Sequence, residues 1–234
     1  MRLSERSQTI ILWWSLIFLG IFGYAFYFLL GMVPPPSAAL APSEVAAFYA
    51  ENASRIKLGA VVASWSSAFM VPFTVVITFQ LARLEEGKPV WSVLAFAGGI
   101  LSSMFLVFPP ILWGAAAFMH SSSPDVIAVV NAIANLTLVT TDQFYIFLML
   151  MISVVGLSAK PDPDTAFPRW LCWVTLFVTI MIEAGALGFM FKSGPFSWNG
   201  LFVFWLPFGL FSVWLFPTYY CLFSAIKRQA AKAG

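Results

Sequence analysis

Six apolar runs, each at least as long as the roughly 20 residues an α-helix needs to cross about 30 Å of hydrocarbon, take up most of this 234-residue chain. They cover residues 9–32, 58–81, 91–118, 126–157, 170–191 and 201–226. What lies between them is too short and too sparsely charged to wet a soluble surface, with 61% of residues hydrophobic, 9% charged and a mean hydropathy of +0.89. No alternating pattern competes for strands. The expected fold is therefore all-α: a polytopic transmembrane bundle of six spanning helices in a single domain over residues 1–234, plus a short outer interfacial helix. Runs longer than the membrane are expected to tilt or project. Pro109, Pro110, Pro207 and Pro217 are expected to kink the third and sixth spans, because the ring removes a donor and crowds the preceding turn.

The net charge of +2 is the remainder of 12 basic and 10 acidic residues, nearly all in the breaks between runs. Its meaning is topological, and it gives no reason to expect nucleic acid as a partner. In a six-span arrangement Arg2, Arg6, Arg83, Lys88, Lys160, Arg169, Lys227, Arg228 and Lys232 share one side, and Arg55, Lys57 and Lys192 the other. Cytoplasmic loops retain Lys and Arg, so both termini are expected in the cytoplasm. A signal peptide cut after Ala39-Leu40-Ala41 is the rival reading of the first run, but its apolar core is about twice the usual length and lies too far from that site. The connection 33–57 is expected outside. After Pro34-Pro35-Pro36, Ser43 can cap a helix that carries Val45, Phe48, Tyr49, Asn52 and Ile56 at helical spacing. Lying at the interface, that helix would join the first two spans or cover an outward-facing cavity.

Two carboxylates, Asp142 and Glu183, stand inside apolar runs, where each costs about 3 kcal/mol or more and by default marks a functional site. On the fourth run Asn131, Asn135, Asp142 and Tyr145 fall within about 80° at 100° per residue, and the Asn131-to-Asp142 stretch is about 16 Å long. On the fifth, Cys172, Thr175, Thr179 and Glu183 share a face, with Ala184, Gly185, Ala186 and Gly188 around the carboxyl. Membrane bundles use Asn, Thr and small residues chiefly to bond and pack helices. Ser64, Ser67, Thr74 and Thr78 on the second run read as such a seam, and Gly20 and Gly23 on the first as close-packing residues. The candidate ligand-binding residues are Asn131, Asn135, Asp142, Tyr145, Thr179 and Glu183, and the catalytic candidates are Asp142 and Glu183. No intramembrane Lys or Arg neutralises the two carboxyls. At least one is expected to hold a proton near neutral pH and to be able to donate it.

Several chemistries are excluded. One histidine, His120, cannot supply bis-His haem, di-iron or copper sites. The chain has no phosphate-cradling glycine loop, no Gly-x-Ser-x-Gly, and no lysine inside a run to carry a retinal Schiff base. No cofactor and no metal is expected. Cys172 and Cys221, each inside an apolar run, read as space-filling thiols. The 25 Phe and 10 Trp suit lipid-facing surfaces and interfacial belts, and an aromatic interior suits a flat, apolar ligand.

Pro168-Arg169-Trp170, the stretch Lys192-Ser193-Gly194-Pro195-Phe196-Ser197-Trp198-Asn199-Gly200, and Glu44-Val45-Ala46-Ala47-Phe48-Tyr49 resemble segments of a group of small six-span bacterial membrane proteins without an assigned function, found in actinobacteria and proteobacteria. The resemblance implies a bacterial inner membrane and brings no catalytic residues with it. Three function classes remain. The first is a non-catalytic protein that binds a small apolar ligand or serves as an accessory subunit of a membrane complex, with membrane lipid as its surroundings. The second is a proton-coupled transporter of a small substrate, although the two halves show no matching broken helices. The third is a membrane-embedded isomerase or cyclase of a lipid, terpenoid or steroid, using Asp142 or Glu183 as general acid.

Overall fold

The computed structural model describes residues 3–140 and 143–233, the side chains of Gln143 and Ala233 apart. All regular structure among them is helical: α1 (Glu5–Tyr24), α2 (Pro42–Ser66), α3 (Met70–Ala82), α4 (Val90–Ser102), α5 (Met104–Phe118), α6 (Pro124–Thr140), α7 (Gln143–Ser158), α8 (Arg169–Ile182) and α9 (Leu206–Ala233). Short π-helical and 3₁₀ pieces extend or join these. Together they make six stretches long and apolar enough to cross a membrane: Glu5–Leu30, Pro42–Ala82, Val90–Phe118, Pro124–Ser158, Arg169–Phe189 and Leu201–Lys232. The architecture is that of a multi-pass membrane protein.

The second span differs most from expectation. No break separates an outer interfacial helix from it, because α2 runs unbroken through Pro42–Ser66. The helix begins one residue before Ser43, with Pro42 at its first position and the Glu44 carboxylate accepting the Ala41 N–H at 2.8 Å. Proline is suited to that position, where its missing donor has no intrahelical partner anyway. Val45, Tyr49, Ile56 and Ala63 are buried along one face, so the outer turns pack on the bundle rather than on lipid. At about 1.5 Å per residue, the stretch Pro42–Ala82 is about twice the hydrocarbon thickness, and its charged outer end projects. A 3₁₀ turn over Ser67–Phe69, with Ala68 at φ −81°, ψ 20°, separates α2 from α3.

The proline expectations need a similar correction. Helix α5 passes through Pro109 and Pro110, and the third span is interrupted instead at Ser103. In the sixth, π-helical backbone at Leu201–Trp205 precedes Pro207, and Pro217 lies inside α9. The wider π turn sits where the missing Pro207 donor frees a carbonyl.

Span ends gather at two poles. At one, Gln80 Nε2 donates to Gln8 Oε1 at 2.8 Å and to Gln229 Oε1 at 3.0 Å, and Gln229 Nε2 donates to Gln80 Oε1 and to the Asp164 carbonyl. These buried amides tie the first, second and sixth spans together and to the loop between the fourth and fifth. Arg228 and Lys232 pair with Asp164 there, and Lys160 with Glu86. Glu85 accepts the Trp91 and Ser92 N–H groups and starts α4. The opposite pole carries the Trp198 indole bonded to the Pro36 carbonyl at 2.8 Å and Arg55 bonded to the Phe28 carbonyl at 2.9 Å.

Close helix contacts depend on particular small residues. A Cβ on Gly98 would come within 2.5 Å of Phe147, one on Gly99 within 2.2 Å of Thr74, and one on Gly59 within 2.9 Å of Leu29. Gly20 and Gly23, read from sequence as close-packing residues, do the reverse, since a Cβ on either meets nothing within 4 Å.

Candidate functional site

The first and sixth spans touch near the basic pole and leave a groove farther along. At the contact, Ser15 Oγ donates to the Phe69 carbonyl at 2.6 Å and bonds the Tyr219 hydroxyl, and Trp13 packs on Phe223 with ring centroids 5.2 Å apart. Beyond it, Leu16 to Tyr27 of one helix and Val203 to Phe216 of the other flank a cavity of about 430 Å³. Both helices are π-helical at the far end, over Ala25–Leu30 and Leu201–Trp205. A π turn adds a residue to the circuit and re-aims the side chains after it, here Phe26, Tyr27, Val203 and Phe204.

The walls are aromatic. Phe22 and Phe26 stack at 5.7 Å, Phe204 and Phe208 stack at 5.8 Å, and Phe26 meets Phe208 across the groove at 6.5 Å. Behind them Phe105, Tyr145 and Phe211 form an edge-to-face triangle with centroids 5.0, 5.4 and 6.1 Å apart. In these arrangements the positive edge of one ring meets the negative face of another, and the rings hold each other in place. Among the described residues, eleven of the 24 that line it are aromatic and none is Asp, Glu, Lys or Arg. The mouth faces the hydrocarbon: Tyr24, Tyr27, Phe208 and Phe216 on its rim are 57%, 57%, 43% and 56% exposed.

The residues singled out from sequence go to different places. Asn131 and Asn135 are fully buried in a hydrogen-bonded set, Oδ1 of Asn131 accepting from Tyr49 at 2.9 Å and from Asn135 at 3.0 Å, and Oδ1 of Asn135 accepting from the Trp113 indole at 3.0 Å. That set joins the second, third and fourth spans and does not line the groove. Tyr145 does line it, so the polar stripe of the fourth span divides between two environments. Thr179 donates to the Thr175 carbonyl of its own helix at 2.7 Å. Glu183 begins a 3₁₀ stretch, Glu183–Phe189, immediately after the lining residue Ile182. Its Oε1 is buried without a hydrogen-bond partner among the described residues. Asp142 lies outside the described residues. The Glu183–Phe189 stretch does reach α6, where a Cβ on Gly188 would stand 3.2 Å from Val139.

The groove itself has only a faint trace in the sequence. Gly20 and Gly23, three apart on one helix face, are its signal, and the same spacing equally describes a packing seam. Comparison with protein-family models, with curated proteins and with solved structures finds no match to this chain.

Proposed function

We propose that this is an integral protein of a bacterial inner membrane, with both termini cytoplasmic, that holds a small, flat, uncharged molecule taken laterally from the bilayer into the groove between its first and sixth spans. The observation that carries the reading is the groove's construction: Phe22, Phe26, Phe204 and Phe208 wall it with aromatic rings, and its rim is left open at the exposed Gly20 and Gly23, where a Cβ would meet nothing within 4 Å. The volume of about 430 Å³ lies within the range of small-molecule sites. At about 30 Å³ per atom of liquid density it accepts about 14 non-hydrogen atoms. The described lining residues carry no charge to meet an ionic ligand, and they offer ring faces to a flat one. The orientation is supported by the gathering of Arg6, Arg83, Lys88, Lys160, Arg169, Lys227, Arg228 and Lys232 toward one pole. Glu183 does not line the groove, which favours holding over acid chemistry by that carboxyl.

Photolabelling in reconstituted bilayers tests the proposal, with an aryl diazirine as a small, flat, apolar probe. Saturable labelling concentrated on residues 16–27 and 203–216, displaced by the unreactive aryl analogue, is the expected result. Non-saturable labelling spread evenly over other lipid-facing positions such as Trp65 and Ile180, which are 74% and 64% exposed, would overturn it.

A further inference from the structure

We infer that a second cavity, at the basic pole, binds the phosphodiester headgroup of an anionic lipid. The cavity holds about 650 Å³ between the loop 159–168, the start of α8 and the last turns of α9. Lys160, Arg169 and Arg228 line it together with one carboxylate, Asp162. Two of these cations already have carboxylate partners, Lys160 with Glu86 at 3.2 Å and Arg228, together with Lys232, with Asp164, which leaves Arg169 as the lining cation for a ligand. Asp162 turns inward on its own loop, accepting the Asp164 N–H at 2.9 Å. Arg169 has no ion-pair or hydrogen-bond partner among the described residues, and it is exposed. The helix it begins carries no side-chain cap. An arginine fork beside uncapped helix N–H groups is suited to phosphate oxygens.

Two features favour a lipid over a free anion. The cavity is amphipathic: Phe167, Cys221 and Leu84 continue it into the apolar bundle, and Trp170 and Tyr220 stand on its rim, 50% and 71% exposed. Rings of that kind belong at headgroup depth, and basic pockets between spanning helices on the cytoplasmic side are the usual seats of anionic headgroups. The loop is also held in shape before any ligand arrives. Pro161, Pro163 and Pro168 stiffen it, Gln229 and Arg228 bond its carbonyls at Asp164 and Thr165, and Thr165 Oγ1 accepts the Phe167 N–H. Preorganisation of this kind lowers the ordering cost of binding.

Native mass spectrometry of the full chain in mild detergent, titrated separately with phosphatidylglycerol, phosphatidylcholine and inorganic phosphate, reads the site directly. One phosphatidylglycerol should bind at least tenfold more tightly than phosphatidylcholine. Each cation near a membrane surface contributes about a fivefold factor, so Arg169→Gln should weaken phosphatidylglycerol about fivefold and Arg169→Gln with Arg228→Gln about 30-fold, with phosphatidylcholine unchanged. Arg169→Lys, which keeps the charge, should stay within about threefold of the parent and serves as the reference if the double variant folds poorly. Equal affinity for the two lipids, insensitivity to Arg169→Gln, or displacement of phosphatidylglycerol by millimolar inorganic phosphate would each overturn the assignment.

Discussion

Filling the groove from its rim at Gly20 and Gly23 should weaken binding without weakening the fold. Gly20 and Gly23 line the cavity and a Cβ at either meets nothing within 4 Å, so leucine at both positions places eight carbon atoms in open space. At about 30 Å³ per atom these occupy about 240 Å³, more than half of the 430 Å³ present. At about 0.3 kcal/mol per displaced ligand atom the double substitution costs about 2.4 kcal/mol, a loss of about 50-fold in affinity. Alanine at both sites adds two atoms and should cost about 0.6 kcal/mol, or about threefold. Replacing glycine by leucine inside a helix is favourable by up to about 0.8 kcal/mol per site, so the fold should hold. Half-saturation of aryl-diazirine labelling in bilayers, measured for parent, Gly20→Ala/Gly23→Ala and Gly20→Leu/Gly23→Leu, reads the series, with thermal unfolding in detergent as the control. A half-saturation that moves less than threefold in the leucine variant, with normal unfolding, would refute the groove as the site. So would loss of folding in the alanine variant, because it would mean that the glycines are packed.

Gly99→Leu is the opposite case: its Cβ would stand 2.2 Å from Thr74, and overpacking of that degree should destabilise by about 1 to 3 kcal/mol in a denaturant titration. Gln80→Ala removes bonds to Gln8 and Gln229 and should cost about 1 to 3 kcal/mol by the same titration, while leaving aryl-probe affinity unchanged. For topology, a thiol-reactive impermeant label should reach Ser43→Cys only from outside and Asp162→Cys only from the cytoplasm. Both positions are exposed, and Cys172 and Cys221 are buried and contribute little background; the reverse pattern would invert the orientation. Glu183→Gln combined with Asp142→Asn keeps shape and hydrogen bonding while removing the transferable protons. The variant should fold with a stability change of no more than about 1 to 3 kcal/mol and label like the parent. Abolished turnover or proton-coupled flux in a correctly folded variant would show that the carboxyls do chemistry.

The spans were legible because a chain in lipid must be helix or closed barrel, and long unbroken apolar runs without alternation leave helix. Their interiors were not. Pro109 and Pro110 sit inside α5 while the interruption falls at Ser103, because a proline records a missing donor and not the place where the backbone yields. Hydrophobic spacing correctly marked Val45, Tyr49 and Ile56 as one face, yet periodicity cannot distinguish lipid from a neighbouring helix as the surface that buries it. Here Tyr49 reaches Asn131, 82 residues along the chain. The same degeneracy hid the groove: Gly20 and Gly23 look like Gly98 and Gly99, and only the neighbouring helix decides which pair is filled by a partner and which is left open. Asn131 and Asn135 share a stripe with Asp142, which makes them site candidates and helix-bonding groups alike, and their hydrogen bonds with Tyr49 and Trp113 are of the helix-bonding kind.

The affinity that the groove can supply constrains what it is for. An occupant of about 14 atoms at about 0.3 kcal/mol each gains about 4 kcal/mol, a dissociation constant near the millimolar range. No charge or metal ligand among the described lining residues raises that figure, and the apolar molecule leaves lipid that solvates it nearly as well as the protein does. Ring stacking, at about 0.5 to 1.5 kcal/mol per pair, adds about two- to tenfold for each ring the occupant meets. A site of that strength fills only when its ligand is a substantial fraction of the membrane, and it empties quickly. On the proposed reading, the groove suits an abundant bilayer component held in transit. Exchange measured by washing out the aryl probe before illumination should be complete within seconds. Retention for minutes would require a polar anchor deeper in the bundle, and would shift attention from the aromatic walls to Glu183.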